Sequence, residues 1–88
     1  MAKGSWKEFV FTRTHDFQLL DAAVRSSRRA LAGEKIEFHF EYGPCVVVTN
    51  APWSVLRMLA RGNGIRYPEP VSVPPDMLAE MREEWSAS

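Results

Sequence analysis

Cysteine is nearly missing from this chain of 88 residues, with Cys45 standing alone. A single thiol excludes an internal disulfide framework and any cysteine-rich zinc site. Long apolar runs are also missing, and none approaches the roughly 20 residues that a membrane-spanning helix needs. The opening MAKGSWKEF has no apolar signal core, which gives the cytoplasm as the expected location. No glycine-rich phosphate loop, catalytic-triad spacing or paired-acid motif occurs. The reading therefore expects no enzyme, and assigns no catalytic residue, cofactor, metal ion or small-molecule substrate.

An excess of charge of either sign is absent as well: 11 basic residues balance 11 acidic ones. The charges are unevenly spread along the chain. Arg57, Arg61 and Arg66 occupy residues 45–67 with no acid, whereas Glu69, Asp76, Glu80, Glu83 and Glu84 outnumber Arg82 in residues 68–88. A mildly basic body thus precedes an acidic last segment, a pattern that bears on partners. The length fits one domain, and 45% hydrophobic with 25% charged residues is ordinary globular composition.

Residues 34–50, EKIEFHFEYGPCVVVTN, carry the strongest pattern. Ile36, Phe38, Phe40 and Tyr42 share one parity and Glu37, His39 and Glu41 the other, as in a strand with one buried face. Gly43 and Pro44 interrupt it, and Val46, Val47 and Val48 resume without alternation, so a hairpin is expected with a second strand buried on both sides. Residues 6–13, WKEFVFTR, read as another strand of the central kind. Thr14 and Asp16 are alternative caps for a helix reaching Ala32, whose stripe is Phe17, Leu20, Ala23, Val24, Ser27 and Leu31. Gly33 is its expected left-handed terminator. Thr49 and Asn50 followed by Pro52 predict a second helix over 52–61, with Val55, Leu56 and Leu59 inward. Ile65, Arg66 and Tyr67 read as a short strand that the following prolines confine to an edge.

This order predicts an α+β fold of the ferredoxin-like, split βαβ kind, βαββαβ with a short fourth strand and an added C-terminal helix. Apolar-on-both-sides FVF and VVV belong at the sheet centre, and alternating IEFHFEY and IRY at its edges. The expected organisation is a flexible tail over residues 1–5, a core over 6–67, a proline-rich connector over 68–75 and an amphipathic acidic helix over 76–88. In that helix Met77, Leu78, Met81 and Trp85 form the apolar stripe. Trp6 and Trp53 are further aromatics for packing or contact.

Several constellations suggest chemistry. His39 between Glu37 and Glu41 suggests a metal or pH-responsive patch, but two carboxylates and one imidazole on an open strand make a poor cage. Cys45 with His39 and Glu37 is the weakest enzymatic reading, because nothing near the thiol would lower its pKa. Arg25, Arg28, Arg29, Arg57 and Arg61 on the outer sides of two helices suggest contact with an acidic protein or with nucleic-acid phosphates. Val46 and Val48, with Met81 and Trp85, suggest a second contact surface on the sheet. Sheet-mediated RNA binding is disfavoured, since stacking aromatics are missing from the outward parity of the central strands.

Residues 64–71, GIRYPEPV, resemble the GLRCPEPV segment of the sulfur-carrier family over eight residues. Tyr67 replaces the persulfide-bearing cysteine, and the segment follows the second helix instead of opening the first. That chemistry therefore does not carry over. The functional expectation is a small non-enzymatic module that binds a protein, another chain or a second copy of itself, as inhibitors and adaptors of phages and bacteria do. Nucleic acid is the alternative partner, and no membrane is expected.

Overall fold

A computed structural model describes residues 5–87. The expected tail falls almost wholly outside that range. The elements are β1 (Lys7–Val10), α1 (Thr14–Ser26), α2 (Arg28–Ala32), β2 (Phe38–Glu41), β3 (Val46–Thr49), α3 (Trp53–Ala60), β4 (Val71–Ser72) and α4 (Pro75–Ala87). They form one small α+β unit around a four-stranded sheet of order β2-β3-β1-β4, every pair antiparallel. The strands with apolar residues on both parities, β1 and β3, take the centre.

Register separates the two faces of the sheet. Phe9 lies opposite Val47, and Val47 opposite Phe40, so these three share a face with Lys7, Thr49 and Phe38. Against that face pack α1 and α3. The Phe17 ring meets those of Phe11 and Phe40, and Phe9 meets Trp53 and Tyr67. Phe9, Leu20, Val47 and Leu56 are completely buried there. The opposite face carries Glu8, Val48 and His39 in one row and Val10, Val46 and Glu41 in the next. Onto it comes α4, through Trp85. The sheet is thus covered by helices on both sides.

Five local expectations need correction. The fourth strand is Val71–Ser72, within the proline-rich connector, and Ile65, Arg66 and Tyr67 form no strand. Ile65 is instead buried, and the Tyr67 hydroxyl donates to the Leu56 carbonyl at 2.8 Å. The first long helix breaks at Ser27, whose N–H is shared between the Ala23 and Val24 carbonyls. Ser26 Oγ donates back to the Ala22 carbonyl at 3.0 Å, an interaction that bends helices.

Neither Thr14 nor Asp16 caps α1, where Arg13 is the N-cap without a side-chain bond. Asp16 is buried; it accepts the Arg66 N–H through one oxygen and meets Arg13 Nε through the other, each at 3.3 Å. Thr49 and Asn50 likewise do not cap α3. Thr49 Oγ1 donates to the Glu37 carbonyl at 2.7 Å, and Asn50 Oδ1 accepts the Glu37 N–H at 2.8 Å, so both fasten the entry to β2.

Gly33 does not terminate the helix by a left-handed turn, for its φ of −68° is helical. Lys35 takes that role, with φ 58°. Its N–H bonds the Ala32 carbonyl while the Ile36 N–H reaches the Leu31 carbonyl, the paired bonds of a Schellman ending shifted two residues on. A Cβ on Gly33 would meet nothing within 4 Å. Gly33→Ala is therefore expected to stabilise the protein by about 0.5–1 kcal/mol, and Lys35→Gly by a similar amount through relief of left-handed strain. Chemical denaturation of the two variants checks both signs.

Candidate interaction surfaces

The arginines occupy the helical layer. Arg25 is committed within the fold: its guanidinium bonds the Tyr42 hydroxyl at 3.1 Å and Asp21 Oδ1 at 3.1 Å. Those bonds, Tyr42 first and Asp21 second, raise its pKa and keep it charged. Arg28, Arg29, Arg57 and Arg61 are exposed, and none forms an ion pair among the described residues. The acidic α4 does not neutralise them, because it lies across the sheet from α1 and α3.

An aromatic clamp fixes α4 on that far side. The Trp85 indole lies parallel to the His39 imidazole, with centroids 3.5 Å apart and planes 3° apart. Trp6 flanks both, at 5.9 Å from Trp85 and 6.2 Å from His39. Arg82 sits 5.0 Å above the Trp6 ring and 3.8 Å from Glu37 Oε2, while the other Glu37 oxygen bonds His39 Nε2 at 2.9 Å. The arrangement is a mixed cation–π and hydrogen-bonded layer between the sheet and α4. None of the helix's own residues is fully buried.

Val46 and Val48, expected to meet a partner, are 7% and 4% exposed. They belong to the interior of the folded chain. Met81 and Trp85 are half-buried, so Trp85 acts as the internal cover. The uncovered remainder of this face is Val10, at 48% exposure, and Glu41 on the far side of Val46 in the same row.

The enzymatic constellation is not brought together. Cys45 packs against the core on the α1 and α3 side, and its thiol approaches the Tyr42 carbonyl at 3.9 Å. His39 points to the opposite face. Among the described residues no group of three His, Cys, Asp or Glu side chains could hold a metal ion. No helix there is long and apolar enough to cross a membrane.

Lys7, a buried cation, shares the inward parity of Phe9 and Phe11. Its ammonium donates to the Ala51 carbonyl at 2.8 Å and to the Ser5 carbonyl at 3.1 Å. Comparison with protein-family models, with curated proteins and with solved structures gives no match to this chain. Function must therefore be argued from these surfaces.

Burial shifts two groups in ways that stability can report. Desolvation lowers the pKa of Lys7 below its usual 10.5, and desolvation pushes the Tyr67 phenol from 10.0 up to about 12. As pH climbs toward 10.5 the unfolded chain holds the Lys7 proton longer than the folded one, so stability rises. Above pH 10 the unfolded chain loses the Tyr67 proton first, so that residue's contribution falls until about pH 12. Unfolding free energy measured against pH is expected to lose its alkaline decline in Tyr67→Phe and its preceding rise in Lys7→Met.

Proposed function

We propose that this chain is a small, non-enzymatic protein-binding module of the inhibitor or adaptor type. In this reading it works in the cytoplasm, and Arg28, Arg29, Arg57 and Arg61 engage an acidic surface of its partner. One observation carries the reading: these arginines are solvent-facing and form no ion pair among the described residues, while the chain's acidic helix is held across the sheet. Cations left unpaired on a helical layer favour encounter with an acidic protein and fix its orientation.

A protein is favoured over nucleic acid by the balance of charge. The chain carries no net charge, and affinity for a polyanion grows with the number of phosphates neutralised, which the few exposed arginines keep small. Within this reading we also take the sheet and its covering helices as a split βαβ arrangement with an added helix. Support for that comes from β1 and β3 lying at the centre between β2 and β4; the broken first helix and the two-residue last strand are departures from it.

The test is capture from an extract of the producing cells, with the wild-type chain compared against Arg28→Glu/Arg29→Glu/Arg57→Glu. The expected result is a protein retained by the wild type, released by salt and lost in the reversed variant. Retention that survives charge reversal would remove the arginines from the account. Retention that nuclease abolishes would replace the protein partner with nucleic acid.

A further inference from the structure

The two edges of the sheet are protected very differently. At one edge β4 is only two residues long and has Pro70 before it and Pro74 and Pro75 after it, devices that prevent pairing with another chain. At the other edge β2 runs Phe-His-Phe-Glu with neither proline, lysine nor bulge. The Glu37 N–H and C=O are both satisfied on the β3 side, by Asn50 and Thr49. By the alternation of an antiparallel ladder, the N–H and C=O groups of Phe38 and Phe40 then turn outward. Among the described residues no strand pairs with them. A groove of about 480 Å³ runs along this edge between β2 and the end of α4, with Tyr42 and Trp85 in its walls.

We propose that β2 pairs antiparallel with β2 of a second copy of this chain, about a two-fold axis at Phe40. A two-fold axis normal to the sheet keeps α1 and α3 of both copies on the same side, and requires that residues of equal parity meet. Two registers satisfy this near the middle of the strand. Centring on His39 sets His39 against His39 and Glu37 against Glu41, like charges directly opposed. Centring on Phe40 sets each His39 against the second copy's Glu41, Phe40 against its own copy, and Phe38 against the second copy's Tyr42. The second register therefore sets an imidazole against a carboxylate twice and pairs aromatics three times, with no carboxylate facing a carboxylate. Self-complementarity of this kind selects a second copy over an unrelated strand. The seam is separate from the exposed arginines of α2 and α3, so the dimer would present that basic surface twice.

Sedimentation equilibrium of the full chain, combined with amide hydrogen exchange, tests the proposal. The expected result is a monomer–dimer equilibrium in which Phe38 and Phe40 amides become slower to exchange as the dimer fraction grows. Glu41→Lys, an exposed change that leaves the circular dichroism spectrum intact, is expected to weaken the dimer about tenfold by removing the carboxylate that each His39 meets across the seam. Glu69→Lys, with the same change in net charge, should leave the equilibrium unaltered. A chain that stays monomeric at every concentration overturns the proposal. So does a dimer that is indifferent to Glu41→Lys, or one in which the Phe38 and Phe40 amides exchange as freely as in the monomer.

Discussion

The parallel stack of Trp85 on His39 decides which surfaces of this protein remain available. An aromatic pair of this kind contributes about 0.5–1.5 kcal/mol beyond its area burial. That is modest, yet α4 has no fully buried residue to hold it otherwise. With α4 docked, Val48, the cross-strand neighbour of His39, is interior and the sheet is a middle layer. Without it, the same valines would face water and the protein would expose an apolar sheet. Glu37 ties the arrangement together, since one oxygen holds His39 and the other faces Arg82 of the docked helix.

The same docking sorts the charges. Asp76, Glu80, Glu83 and Glu84 belong to the helix on one side of the sheet; Arg28 and Arg29 belong to α2 and Arg57 to α3, with Arg61 just past the end of α3, in the layer on the other. A chain of zero net charge thus becomes a molecule with two distinct electrostatic sides. Such segregation brings little to stability, because exposed charges in water interact weakly. Its consequence is for encounter and orientation, which is why the basic helical layer is the surface to which we assign a partner. Arg25 differs from the other four: Tyr42 and Asp21 bind it internally, and it serves the fold before any partner.

Much of the fold was legible because its signals are periodic. Alternation through Ile36, Phe38 and Phe40 named β2, and three consecutive valines named β3 as a strand buried on both sides. The features that escaped lack periodicity. β4 is two residues long, too short for any pattern, and its prolines suggested a connector. Ser27 fits the helical stripe, so the break there follows from competing hydrogen bonds that spacing does not encode. Lys35 takes the role expected of Gly33 because a helix end is set by which carbonyls are reachable, and that depends on where Ile36 must pack. Of the candidate site residues, the exposed arginines were readable from helical spacing. The interior placement of Val46 and Val48 required knowing where α4 docks, a long-range fact that no local pattern contains.

Proton NMR of the His39 side chain tests the central claim most directly. A face-to-face indole at 3.5 Å shields the imidazole ring protons, so their resonances are expected well upfield of ordinary histidine positions. They should return toward those positions in Trp85→Ala, while His15, exposed at the start of α1, remains unchanged. His39 resonances at ordinary positions in the intact protein, indifferent to loss of Trp85, would contradict the account.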